Sequence, residues 1–444
     1  MDLPLTNVDT LLQGGTVVTM NPRRDVIENG AVAVRGNEIV WVGSAERLML
    51  ADKPSRSMDT SGKIVIPGLI NAHSHLAMTI FRGLVDDQPL EAWLNHIWPL
   101  EAAYATAENV RAGVQLALAE MMLGGTTCAA DMYWQSHESC RAAQEANFRL
   151  VNGPAFTEIA GPEGAQPENR QSHARAFLDR YRNHPLIHSC VQVHSTYTTS
   201  QPLLEQAGSL AEEYQVPFVT HASESKTEVE MISEAYGMTP IEYIDSLGLL
   251  GARTLLAHCV HLRDDEVALL KERGSNVAHC PESNLKLGNG VARVPYLLAN
   301  GVNVALGTDG AATNNDLDMF GEMRTAALIH KGASFDPTVM NAQTVFTMAT
   351  INGARAIGMA ERIGSLEAGK LADIAVVDQG SAHMTPCYNI YSQLVYAAKQ
   401  SDVCAVIING RLVMENRQLL TLDEVKIKAQ VRKLAATIRS SSSA

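Results

Sequence analysis

Histidines at positions 73, 75, 221 and 258 and an aspartate at 309 stand at the ends of apolar runs, and such a set can hold a metal ion. His73 and His75 follow Ile64-Val65-Ile66-Pro67-Gly68-Leu69-Ile70. The period of two in an extended strand turns both imidazoles to one face. His221 ends Val216-Pro217-Phe218-Val219-Thr220, His258 ends Thr254-Leu255-Leu256-Ala257, and Asp309 follows Val304-Ala305-Leu306-Gly307-Thr308. A satisfied core histidine explains any one of these singly, and an H-x-H pair alone is a weak signal. The same placement on several separate runs is hard to reach by packing. Three imidazoles and one carboxylate form a nitrogen and oxygen shell suited to zinc, with iron as the alternative, and leave space for water. The expected ligands are His73, His75, His221 and Asp309. His258 is then free to act as a base or electrostatic group beside the metal, which lowers the pKa of its water and needs a neighbour to take the proton. Glu224, three residues past His221, is the candidate proton shuttle; its plainer reading is a wet loop carboxylate, since Glu228 and Glu230 are close by.

Positioning such groups requires strands whose ends converge. Apolar strand-like runs alternate with helical patterns through the middle of the chain, as in repeated βα units around a parallel sheet. Eight runs can be placed: 63–70, 126–132, 148–154, 187–193, 217–221, 253–258, 276–280 and 302–307. Eight parallel strands predict a closed (β/α)8 barrel of the TIM type, whose strand C-termini meet at one mouth. Between them, Thr106 to Leu123 reads as a helix, with Val110, Val114, Leu118 and Met121 on one stripe and Gly124-Gly125 as the stop.

The first sixty residues read instead as short strands, 10–20, 31–35 and 38–42, and the same texture returns at 372–377 and on both sides of the Asn409-Gly410 turn. The expected division is a β-sandwich module begun by residues 1–62, a barrel over 63–362, and completion of the module by 363–444 with a C-terminal helix and a frayed serine tail from Ser440.

Composition narrows the function classes. In 444 residues, 46% are hydrophobic and 19% charged, enough for a sizeable core. A net charge of -13 disfavours nucleic acid and anionic membranes, which require clustered Lys and Arg, and favours a small neutral or zwitterionic substrate. No secretory leader or membrane-length apolar stretch is read, and the seven cysteines form no C-x-x-C pair. A cytoplasmic protein without disulfides is expected, with Cys259 and Cys280 as small packing residues.

The motifs Asn71-Ala72-His73-Ser74-His75, His221-Ala222-Ser223-Glu224, His258-Cys259 and Gly307-Thr308-Asp309-Gly310 together resemble the amidohydrolase superfamily. The resemblance spans nearly the whole chain, including Ile66-Pro67-Gly68-Leu69-Ile70-Asn71 and Gly364-Ser365-Leu366-Glu367-Ala368-Gly369-Lys370-Leu371-Ala372-Asp373, where such barrels join their β-sandwich. Within it, Pro281-Glu282-Ser283-Asn284-Leu285-Lys286-Leu287 and Asn314-Asn315-Asp316-Leu317-Asp318-Met319-Phe320 resemble the 5-methylthioadenosine/S-adenosylhomocysteine deaminases. Many superfamily members hold two metals bridged by a modified lysine on the fourth strand; His194 follows Val191-Gln192-Val193 here, which implies one metal, one zinc per subunit with iron as the alternative.

The resemblance implies hydrolytic deamination at C6 of adenine, with Glu224 protonating N1 while His258 and Asp309 handle the proton of water. It further implies that Glu101 accepts hydrogen bonds from the ribose hydroxyls and that His194 contacts substrate near the metal. The alternatives are a carboxylate near the start of a helix for Glu101 and a buried strand-end imidazole for His194. Trp93 covers the base or thioether, or belongs to the aromatic core. An arginine that some relatives place after the third strand has no equivalent in Val151-Asn152-Gly153-Pro154-Ala155-Phe156. The expected partner is a small nucleoside and the expected assembly a homo-oligomer. The rival activities are deamination or dechlorination of another N-heterocycle such as guanine, 5′-deoxyadenosine or a triazine. A metal-free scaffold homologue is the non-enzymatic reading.

Overall fold

The computed structural model describes residues 4–159, 162 and 169–442. Eight parallel strands form the central barrel. Its first three are Leu69–His75, Thr126–Asp131 and Arg149–Asn152, and its fifth to seventh are Phe218–Ala222, Thr254–His258 and Asn276–His279. The fourth and eighth are each interrupted, as Ile187–Ser189 with Val191–Ser195 and as Asn303–Leu306 with Asp309–Gly310. Those interruptions divide the hydrogen bonding into two sheets. In the eighth strand, Asn303–Leu306 pairs with the seventh while Asp309 and Gly310 pair with Ser74 and His75 of the first. In the fourth, Ile187–Ser189 pairs with the third strand and Val191–Ser195 with the fifth. The two broken strands are therefore the corners at which the barrel closes.

Two expectations about strands need correction. The apolar run 63–70 is not one barrel strand: Lys63–Pro67 pairs with Thr10–Val18 and with Ile374–Asp378 in the terminal sheet, and the barrel begins at Leu69. Both halves are buried, so hydrophobicity carries no mark of the break. The change of sheet occurs at Gly68, where a Cβ would lie 2.1 Å from the Thr127 hydroxyl oxygen. A barrel beginning at 63 thus includes five residues that pair outside it. The run 187–193 likewise extends to Ser195, which places His194 inside the fourth strand. At the C-terminus, the serine stretch expected to fray continues the helix Glu424–Ser442, while residues 443–444 lie outside the described part.

The two chain ends do build one module. Thr10–Val18, Val26–Arg35 and Glu38–Ser44 form an antiparallel meander, and Lys63–Pro67 joins it to Ile374–Asp378, Val403–Ile408 and Arg411–Glu415 from the far end. Leu12, Val32 and Val65 pack with Leu366, Ile374 and Ile407 in one core of this β-sandwich. At the hairpin turn Asn409 and Gly410 have φ of 52° and 78°, the left-handed pair that matches strand twist. Gly410 is required there, since a Cβ would fall 2.0 Å from the Gly36 carbonyl oxygen.

Module and barrel are locked by Arg149 and Asp373. Their side chains are 1% and 3% exposed and meet in two parallel contacts, Nε to Oδ2 at 2.6 Å and Nη2 to Oδ1 at 3.0 Å. Asp373 also accepts the Asn409 N–H at 2.7 Å. Removing one member strands a buried charge, so Arg149→Met is expected to cost about 3–5 kcal/mol. Urea titration followed by circular dichroism reads this, and a variant within 1 kcal/mol of the parent would sink the assignment. Among the described residues no helix is long and apolar enough to cross a membrane.

Candidate metal centre and active site

All five metal-site candidates sit at the C-terminal ends of barrel strands: His73 and His75 on the first, His221 on the fifth, His258 closing the sixth and Asp309 on the eighth. His73, His221, His258 and Asp309 are buried. His258 and Asp309 adopt left-handed φ of 72° and 61°, unusual for residues with side chains and a sign that the surroundings hold them in place. The metal-ligating atoms of His73, His75 and His221 lie within 4.8 Å of one another, as do those of His73, His258 and Asp309.

Backbone contacts fix which nitrogens are free. His75 Nδ1–H donates to the Met132 carbonyl and His221 Nδ1–H to the His194 carbonyl. Their Nε2 atoms are thereby left 3.3 Å apart, facing each other. Two lone pairs cannot stand so close without a proton or a cation between them. Asp309 is oriented in the same way: Oδ2 accepts the Ser283 and Thr313 hydroxyls at 2.6 and 2.8 Å, which leaves Oδ1 3.1 Å from His75 Nε2 and 3.5 Å from His73 Nε2. His73 Nε2 is fully enclosed and has no hydrogen-bond partner among the described residues. Orphaned nitrogen, facing lone pairs and an oriented carboxylate are the arrangement a divalent cation satisfies, with the carbonyls and hydroxyls as its outer supports.

Electrostatics point the same way. Burial pushes His73 down to about 4, and it pushes His221 well below the ordinary imidazole range. Burial also opposes a charge on His75, but the Asp309 hydrogen bond and charge with the Met132 carbonyl lift it to about 9. A cation taking that nitrogen therefore competes with a proton. His258 Nδ1–H donates to Asn284 Oδ1 at 2.9 Å, so Nε2 faces the Glu224 carboxylate at 3.7 Å. Glu224 accepts Asn289 Nδ2–H at 3.0 Å, and burial raises its carboxyl to about 7.

His75, His221, His258, Asp309 and Glu224 open into one cavity, which Glu101, His194 and Trp93 also line. Glu101 is buried within the helix Leu90–Tyr104 rather than at its start, and burial raises it to about 7 against the pull of Tyr133. His194 Nδ1 is 2.8 Å from the Thr198 hydroxyl, and burial lowers it to about 3. Trp93 lines the cavity with Trp98 and Trp134, and its buried indole N–H has no partner among the described residues. Sequence reasoning passed over Asn289, Thr313, Tyr133 and Trp134, and it quoted Ser283 and Asn284 only within the motif 281–287, without a role. The available signals for those two were that motif and their position just beyond the seventh strand, at the same mouth.

This geometry, a TIM-type barrel with a buried histidine and aspartate cluster at its C-terminal mouth, defines a class. The chain belongs to the amidohydrolase family, which it matches over residues 64–413. It is similar to the 5-methylthioadenosine/S-adenosylhomocysteine deaminase of Syntrophobacter fumaroxidans, 47% identical over 435 residues that cover 98% of this chain and 99% of that one. It is also similar to the 5′-deoxyadenosine deaminase of Methanothermobacter thermautotrophicus, 42% identical over 413 residues, 93% and 95% of the two chains. A solved adenosine deaminase from Xanthomonas campestris with bound zinc superposes with a TM-score of 0.96 at 37% identity, over 99% of this chain and 100% of that chain. The donor set and these similarities support a divalent metal.

Proposed function

We propose that the chain is a hydrolytic deaminase of adenosine-type nucleosides, 5′-methylthioadenosine and S-adenosylhomocysteine among them, giving the inosine analogue and ammonia. The observation that carries the reading is the convergence of His73, His75, His221 and Asp309 beside the protonatable Glu224, in a cavity with a buried carboxylate, Glu101, on its wall. The names of the similar proteins supply the substrate class.

His73, His75, His221 and Asp309 would hold one zinc ion, which when bound would supply Lewis-acid activation of water. Glu224 carries the proton that N1 of the purine needs, and a carboxyl near 7 can both take and give it at neutral pH. His258, tethered through Nδ1 to Asn284, keeps Nε2 free to receive a proton. Glu101 accepts the ribose hydroxyls, His194 meets the base, and Trp93 covers it while the aromatic wall excludes water.

The test is ammonia release from a substrate panel by protein of measured metal content. Expected are about one transition ion per chain, loss of turnover on chelation with recovery on adding zinc back, and the highest kcat/KM on adenosine-type nucleosides. Guanine or triazine turnover far above that of 5′-methylthioadenosine would replace the substrate class, and active protein free of bound ion would end the mechanism.

A further inference from the structure

A second cavity adjoins the first, sharing Leu90, Trp98, Ile159 and Tyr197 as common walls. It opens outward and is lined mainly by hydroxyl and apolar side chains, with three carboxylates, Glu91, Glu158 and Glu228. No lysine or arginine among the described residues lines either chamber.

The three carboxylates differ in what they are free to do. Glu228 is committed inward, accepting the Glu224 N–H on Oε2 at 2.7 Å and the Thr196 hydroxyl on Oε1 at 3.3 Å. Glu91 is half-buried and accepts only the Ser225 hydroxyl, at 3.0 Å on Oε1. Glu158 is exposed at the rim. Neither Glu91 nor Glu158 enters an ion pair among the described residues. Lys226, between the wall residues Ser225 and Thr227 in the chain, is exposed and is not among the lining residues, and Arg170, beyond Ile159, turns its guanidinium to the Ala155 and Ile159 carbonyls. An outward-opening chamber lined by carboxylates, and by no lysine or arginine among the described residues, carries a negative potential that favours one sign of ligand charge.

A nucleoside whose C6 reaches the histidine cluster has its ribose on the opposite side of the purine, because N9 lies across the ring system from C6. The 5′ carbon therefore points away from the cluster, and the outer chamber is the space that adjoins the inner cavity across Leu90, Trp98, Ile159 and Tyr197. We propose that this outer chamber is the subsite for the 5′ substituent. Glu91 and Glu158 there select neutral or positively charged substituents against anionic ones. The inference rests on the reading of the substrate as an adenosine-type nucleoside, and it makes a 5′-phosphorylated or 5′-carboxylated nucleoside a poor ligand even where the base fits.

Three probes that share the base and ribose separate the effect of charge: 5′-amino-5′-deoxyadenosine, 5′-methylthioadenosine and adenosine 5′-carboxylate. The metal-loaded enzyme is expected to favour the amine over the carboxylate by about tenfold or more in kcat/KM at low ionic strength, with the preference shrinking as salt is added. Glu91→Gln and Glu158→Gln are each expected to reduce the amine-to-carboxylate ratio about threefold, a modest factor because both groups are partly solvated. A ratio within about twofold of unity, or unchanged in both variants, overturns the inference. If no adenosine nucleoside releases ammonia, the deaminase reading fails instead. The charge preference is then read as Kd by calorimetry with the same probes, and equal affinities or absence of binding overturn it.

Discussion

Glu224→Gln is expected to lower kcat by about 10²–10⁴-fold while metal content stays at the parental level. Glutamine matches the shape of the side chain and can still meet Asn289, so packing is preserved. It cannot carry a proton to N1 or take one from water. Glu224 is absent from both groups of converging donor atoms, so the ion has no reason to leave. Elemental analysis beside single-turnover ammonia release distinguishes the outcomes. Near-parental turnover in the variant would remove Glu224 from the reaction, and loss of metal along with activity would make it a ligand instead of a shuttle.

Asp309→Asn is expected to abolish both stoichiometric metal and turnover. The carboxylate presents one oxygen to His73 and His75 only because Ser283 and Thr313 hold the other. An amide in that position lacks the charge and, with one end a donor, cannot serve both sides. Ser283→Ala and Thr313→Val, which remove only the supports, should weaken metal affinity by a smaller factor, about 10–100-fold each. Competition against a chelator of known affinity measures all three. Full metal occupancy and activity in the asparagine variant would mean that Asp309 neither binds the ion nor balances its charge.

The convergence of the histidines and Asp309 was legible in the sequence for a physical reason: these residues sit directly at the ends of apolar runs, and in a closed parallel barrel those ends share one mouth. The strand count was legible for the same reason. The sheet change at Gly68 was not, since the strands on both sides of it are almost wholly buried and their burial shows no alternation to interrupt. Asn289 and Thr313 escaped, and Ser283 and Asn284 gained no role beyond the motif that holds them, because short polar side chains at such positions have no periodicity. Their function arises only when the fold sets them against Asp309, His258 and Glu224. Glu101 came from family resemblance alone: as a carboxylate within a helix it carries no spacing signal, and only its burial beside Tyr133 sets it apart.

The pairing of Asp309 with Ser74 and of Gly310 with His75 closes the ring of strands at two of the candidate ligands themselves, Asp309 and His75. An ion shared by His73, His75 and Asp309 would thus act as a clasp across the join, tying positions separated by most of the barrel's length. Loss of such an ion would leave that join to the backbone pairing alone.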